Sequence, residues 1–203
     1  MADWDKRYRE ADAPLFGEAP SEYVRMVMAR SDVEIGSALL LGDGDGRNGG
    51  WLAEQGVAVT AIDISDVATE LALRNDEARG VRVQRIAADA GHWQPATDAR
   101  WDAIFMIYLQ CDAATRNDAA ARFAHHIAPG GWFVAEGFAA GGDADADLGP
   151  KVDELLYRRD DLIAALPGFR NVEAMEGGVH LDEGERHQGN AWVLRLLMRR
   201  MSG

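Results

Sequence analysis

Residues 38–48 read ALLLGDGDGRN. Residues 39–41 are apolar and run straight into Gly42-Asp43-Gly44-Asp45-Gly46, and a helix-compatible segment begins at about Arg47. This is the pattern of a buried strand that turns tightly into a helix N-terminus. Glycine serves such a turn twice, because it takes positive φ at low cost and leaves backbone N–H groups open to an approaching ligand. The first expectation is a nucleotide-like ligand.

Working outward, the segments on both sides alternate regularly. Residues 48–55 predict a helix stopped by Gly56, and VAVTAID (57–63) predicts a β-branched strand ending at Asp63. A helix over 65–79 is closed by Gly80, followed by a short strand over 81–87 that ends at Ala88-Asp89. WDAIFMIYL (101–109) predicts a fourth strand, and the alanine-rich stretch 113–127 a helix broken by Pro129-Gly130-Gly131. A fifth strand is expected over 132–137. Beyond it come an acidic loop over 139–147, a helix around 155–166, and two strand-like stretches, 170–179 and 190–199. LDEGERHQG separates these two, so an antiparallel hairpin closes the sheet. At the front, WDKRYREADAPLFGEAP (4–20) spaces aromatics among charges, with Ser21 placed to cap a helix over 21–29. Trp4, Tyr8 and Phe16 either anchor this arm or fold over the ligand. The expected architecture is α/β: a mostly parallel sheet of seven strands with a C-terminal antiparallel hairpin and helices on both faces.

Composition narrows the partners. A length of 203 residues fits one domain, and a hydrophobic fraction of 47% suffices for a core. A formal net charge of −13 argues against nucleic acid and anionic membranes, which need clustered Lys and Arg. No apolar run reaches the roughly 18–20 residues that span a bilayer, and the N-terminus is polar, so a cytoplasmic protein acting on small molecules is expected. The single cysteine, Cys111, excludes an internal disulfide and a cysteine-rich metal site. No metal is expected elsewhere: Asp143, Asp145, Asp147 and Glu154 are spaced like a calcium loop, but Leu148 stands where that loop requires glycine.

Taken in order, WDKRY with FGEAP, LLGDGDGRNGGWLAEQG, VTAIDIS, AADA, WDAIFMIYLQ, APGGWFVAEGF, LGPKVDELLY and EGERHQGNAWV resemble the class I methyltransferases that depend on S-adenosylmethionine (SAM). Within these the chain is most similar to the small enzymes around the tellurite-resistance and thiopurine methyltransferases. The resemblance covers nearly the whole chain. It implies one Rossmann-like methyltransferase domain over 1–203, with an N-terminal helical arm or lid (1–30), a SAM-binding core (38–138), and an acidic loop, helix and closing hairpin (139–203). The implied reaction is transfer of a methyl group from SAM to a small acceptor such as a thiol or a selenium or tellurium oxyanion.

The resemblance also assigns residues. Gly42, Gly44, Gly46 and Arg47 are expected beside the methionine moiety, Asp63 with Ile64 at the ribose, and Asp89 with Ala90 at the adenine; Ile107, Trp4 and Tyr8 complete the cofactor set. Tyr108, Gln110, Glu136 and His187 are the candidates for chemistry; Arg186 could bind an anionic acceptor, but a plain surface charge is the preferred reading. Glu136 earns its place as an acid at the end of a strand that should be buried. Cys111 has no evident activating neighbour and reads as a packed thiol. The chain departs from the family pattern at Leu40, where an acid is usual, at Asp43, where a small residue or cysteine is common, and at Gln110, where histidine is frequent. Two other readings remain: a nicotinamide dehydrogenase, for which GxGxxG would require glycine where Arg47 stands, and a non-catalytic SAM-binding regulator. The oligomeric state is not legible in the sequence.

Overall fold

The computed structural model describes residues 3–142 and 148–202 and, for Glu185, the backbone only. Two short helices, α1 (Trp4–Arg9) and α2 (Glu22–Met28), precede the sheet. Then follow β1 (Ser37–Leu41), α3 (Arg47–Glu54), β2 (Ala58–Asp63), α4 (Asp66–Arg79), β3 (Gln84–Ala87), β4 (Trp101–Ile107), α5 (Ala113–Ala124), β5 (Ile127–Phe138), α6 (Arg159–Ala164), β6 (Phe169–Asp182) and β7 (Gln188–Arg200). The strands form one sheet in the order β3-β2-β1-β4-β5-β7-β6. β1 to β5 are parallel, while β7 runs antiparallel to both β5 and β6. This is the Rossmann-like sheet expected from the sequence.

Alternation along the central strands sorts the core into two layers. Leu39, Leu41, Ile104, Met106, Phe133 and Ala135 face α5 and α6, packing on Phe123 and Leu162. Ala38, Leu40, Phe105 and Val134 face α2 and α3, packing on Tyr23, Val24 and Leu52. Leu40 is therefore a core residue in an apolar layer. A carboxylate in its place would be buried there without a partner, at a cost of several kcal/mol.

Local signals explain the helix ends. Ser21 Oγ accepts from Tyr23 N–H, the N-cap read from the chain, and Ser65, expected as the first helical residue, is an N-cap as well, its Oγ accepting from Ala68 N–H. Gly80 closes α4 at φ +70°. Three expectations need correction. The helix over 113–127 ends at Ala124, and β5 begins at Ile127, because Ile127 pairs with Trp101 and the Pro129-Gly130-Gly131 stretch is taken up as an irregularity before Trp132 meets Ala103. The helix around 155–166 is shorter: Tyr157 N–H donates to Phe138 O and Tyr157 O accepts from Ala140 N–H, so this residue is bridged to the sheet and α6 starts only at Arg159. The hairpin strands extend to Asp182 and from Gln188, with one 3₁₀ turn over Glu185–His187 between them. The core of the expected acidic lid, 143–147, lies outside the described residues, as do three of the four acids of the calcium-like spacing. Among the described residues no helix is long and apolar enough to cross a membrane.

Candidate active site

Strand order reverses between β1 and β4, and the carboxyl ends of open α/β sheets bind ligands at that crevice. A cavity lies there, lined by residues of the β1–α3 turn, the ends of β2 and β4, the N-terminal arm and the β6–β7 turn. The space between these walls, open to solvent on one side, is about 1050 Å³.

The glycine turn forms its floor. Gly42, Gly44 and Gly46 stand at φ +74°, +59° and +88°. At Gly44 a Cβ would also collide with the Tyr8 hydroxyl, so the turn and the arm are fitted to each other. Asp63 pins the turn from β2: its Oδ2 accepts from Gly44 N–H at 2.8 Å and its Oδ1 from Ser65 N–H at 2.9 Å. Each carboxylate oxygen has a further lone pair, which leaves Asp63 able to accept from two vicinal hydroxyls at the cavity. Burial pushes the Asp63 carboxyl upward, against the pull of those two N–H groups. Trp4, Tyr8 and Phe16 all line the cavity, so the arm contributes its wall, and Asp5 docks that arm by accepting from Ser65 Oγ and Val67 N–H. Ile64, Asp89, Ala90 and Ile107 line it as well.

Beneath the turn is an ion network that only the fold discloses. Arg85 on β3 donates to Asp43 Oδ2 and to both carboxylate oxygens of Asp76 on α4. Asp43 also accepts from Gly49 N–H. Gly46, expected at the cofactor, is instead turned toward Arg85 and Ala72 and does not line the cavity.

The far end of the cavity carries Tyr108, Leu109, Gln110, Cys111 and His187. Tyr108 is the one non-glycine residue with positive φ among the described residues, at +51°, a conformation that costs about 1–3 kcal/mol and clusters at functional sites. Its ring lies 4.4 Å from that of His187 and 5.0 Å from that of Phe138. Its hydroxyl is closed off without a partner, so Tyr108 offers the site an aromatic face rather than a proton. His187 is 3% exposed, and its Nδ1 lies 3.7 Å from Glu183 Oε2. At that distance Nδ1 is buried without a hydrogen-bond partner, and Glu183 acts on the ring through its charge. Burial holds the His187 imidazole below its ordinary value, against the pull of Glu183.

Glu183 was not singled out from the sequence, and it organises this corner. Its Oε1 accepts from Glu22 N–H at 2.8 Å and its Oε2 from Arg47 Nη2 at 2.9 Å. Burial would raise its carboxyl, but His187, Arg47 and the Glu22 N–H together hold it at about 2. A charged residue four positions before His187 in the EGERH segment was the available signal.

One further sequence-based assignment is corrected here. Glu136 does not reach the cavity: it is 0% exposed, accepts from Ser21 Oγ at 2.6 Å and Arg195 Nε at 2.8 Å, and ties α2 to the two antiparallel neighbours β5 and β7. Arg47 lines the cavity, but its guanidinium is spent on Phe16 O, Ala19 O and Glu183, locking the arm to the hairpin. Arg186 is exposed and lies outside the cavity lining. Burial also pushes the Cys111 thiol up to about 11, consistent with a packed thiol.

Residues 38–131 match the family described as methyltransferase domain. No curated protein matches the chain. Among solved structures, one concerned with conversion of a disulfide bond into a thioacetal group during echinomycin biosynthesis has a TM-score of 0.77 at 19% identity, over 98% of this chain and 90% of the other. TehB from Haemophilus influenzae has a TM-score of 0.70 at 16% identity, over 88% of this chain and 61% of TehB. The N-methyltransferase NodS from Bradyrhizobium japonicum WM9, solved with S-adenosyl-L-homocysteine, has a TM-score of 0.70 at 17% identity, over 98% and 99%. These structural likenesses establish the shared fold. The methyltransferase-domain match covers the glycine turn and the parallel strands whose ends form the cavity at the sheet's switch point.

The residues lining the cavity fit S-adenosylmethionine as a cofactor. The left-handed turn gives backbone access, and Asp63 has free lone pairs at the ribose position. Asp63→Ala is expected to weaken SAM by about 1.5–3 kcal/mol, the range for hydrogen bonds to a charged group. Isothermal calorimetry checks this, and an unchanged affinity removes Asp63 from the site.

Proposed function

We propose that the protein transfers the methyl group of SAM to a small neutral acceptor bearing an ionisable hydrogen, a thiol foremost. The observation that carries this reading is His187, a buried imidazole in the cavity wall whose Nδ1 is turned to Glu183. A carboxylate in that position favours the Nδ1–H tautomer and leaves the Nε2 lone pair as a base. The depressed basicity of His187 keeps it unprotonated at neutral pH, and thus ready to accept a proton.

The cofactor supplies a methyl group already activated on a sulfonium, so the chain's work is alignment, exclusion of water and removal of one proton. Trp4, Tyr8, Phe16 and Tyr108 wall the cavity with aromatic surface. His187 Nε2 takes the acceptor's proton as the acceptor's electron pair forms the new bond to the methyl carbon. The pair from the broken S–CH₃ bond stays on the donor sulfur.

An oxyanion acceptor suits this site less well. Of the described cavity-lining residues, Arg47 and His187 are those able to carry positive charge, and Arg47 is already paired with Glu183. Asp43, Asp45, Asp63 and Asp89 line the same space. Incubating the protein with SAM and separate thiol, amine, selenite and tellurite acceptors, with mass-spectrometric detection of S-adenosylhomocysteine, tests the reading. Turnover with thiols and none above background with the oxyanions is expected. SAM binding without turnover on any acceptor would instead support a non-catalytic SAM-binding protein.

A further inference from the structure

Behind the far end of the cavity lies a buried cation with no described carboxylate as its partner. Arg116 on α5 is 1% exposed, and its guanidinium donates to Cys111 O at 3.0 Å, to Leu155 O at 3.2 Å and to Leu156 O. Its Nε is buried without a hydrogen-bond partner. The guanidinium carbon lies 4.0 Å from the centre of the Tyr157 ring, and the Tyr157 hydroxyl donates to Leu109 O at 3.1 Å. That ring has room because residue 137 is glycine, where a Cβ would collide with it. Both side chains thus grip residues 109–111, which line the cavity, while neither lines it itself. A buried cation without a counter-ion costs free energy that a packed apolar side chain would not. What the guanidinium supplies instead is a planar fork that fixes two backbone segments at once.

We propose that Arg116 and Tyr157 are positioning residues for the methyl acceptor, a clamp behind the cavity wall that holds the Leu109-Gln110-Cys111 stretch in the shape against which the acceptor is aligned. The inference rests on the methyl-transfer reading above and adds to it residues that act from outside the cavity. Alignment is the main task of the chain in an in-line transfer, and a small displacement of the aligning wall is costly there. The clamp braces that wall from two directions: Arg116 ties it to α5, and Tyr157, whose N–H donates to Phe138 O, ties it to the end of β5.

Cys111 is the chain's single cysteine, so its alkylation by iodoacetamide reads the clamped stretch with no acceptor present. Burial pushes its thiol up to about 11, while the Arg116 charge pulls it down and Asp112 and Asp89 push it up. The possible effects of Arg116→Met therefore differ in sign. Loss of the cation from a stretch that stays in place makes the thiol harder to ionise and slows alkylation. A stretch released into water is alkylated about tenfold faster or more, as its thiol returns toward the free value of about 8.5, and this is the expected result. Tyr157→Phe keeps the ring against Gly137 and removes only the hydroxyl, so it tests the clamp even if Arg116→Met does not fold. It is expected to speed alkylation about 2–10-fold, the value of one hydrogen bond. With thiophenol as the acceptor probe, the same variant should lose kcat/KM by a similar factor and keep its S-adenosylhomocysteine affinity in calorimetry. Wild-type alkylation in Tyr157→Phe, or slower alkylation in a folded Arg116→Met, overturns the proposal. So does an equal loss of thiophenol turnover and S-adenosylhomocysteine affinity, which would mark general damage to the fold. A wild-type protein that does not methylate thiophenol overturns the thiol reading, and the alkylation rates then decide the clamp by themselves.

Discussion

His187→Asn is expected to bind SAM as the wild type does and to lose about 10²–10⁴-fold in kcat, the usual contribution of a positioned general base. The substitution keeps a polar group near the Nδ1 position and removes Nε2, so the wall survives and the proton acceptor does not. The pH profile separates chemistry from structure. Only neutral imidazole accepts a proton, so wild-type kcat should rise with pH and level off. Because burial holds His187 below the ordinary histidine value of 6.5, the midpoint of that rise should lie below 6.5. Glu183 pulls the other way, and Glu183→Gln should move the midpoint lower still. The acidic limb should vanish in His187→Asn. A variant with wild-type kcat across this range would remove His187 from the reaction.

The architecture was legible because its signals are local. β1, the glycine turn and α3 follow from residues 38–54 alone, and the caps Ser21, Ser65 and Gly80 stand where their chemistry demands. Backbone position was the legible part of the site: Gly44 and Ile107 in the turn and at a strand end, Asp63 at the end of β2 and Asp89 just past β3 line one cavity, as their places in the chain imply. What failed were side-chain destinations. Glu136 was rightly expected to be an unusual acid in a buried strand, but its partners, Ser21 and Arg195, come from 115 and 59 residues away, and no periodicity reports them. Arg47 was read through its place at a helix N-terminus. Its guanidinium is decided by Glu183, 136 residues on. Leu40 shows the converse: the missing acid is explained by the apolar layer that the opposing helices α2 and α3 press onto it.

Arg85 is a residue whose importance the fold alone reveals. It sits on β3 with its side chain 2% exposed, between Asp43 of the glycine turn and Asp76 of α4, whose side chains are 1% and 6% exposed. Burial alone would make the guanidinium less basic, but the two carboxylates more than reverse this and keep it charged. Removing one member of such a buried group strands the others, typically at about 3–5 kcal/mol. Arg85→Leu should therefore lose that amount in urea denaturation, a large part of the total of about 5–15 kcal/mol that domains possess. The sign of its pH dependence is diagnostic. At Asp43, burial is the largest influence raising the carboxyl and Arg85 the largest lowering it. The Asp43 carboxyl already lies above its ordinary value in the wild type, so without Arg85 the folded-state value must climb still further above the unfolded one, near 3.9. A group raised in this way binds protons more tightly when folded, so stability is lost as pH rises through that window. The deficit of Arg85→Leu relative to wild type should accordingly shrink as pH falls toward 4, and Asp43→Asn added to it should recover part of the loss at neutral pH. A deficit under about 1 kcal/mol, the value of an exposed pair, would mean that the glycine turn does not depend on the charge beneath it.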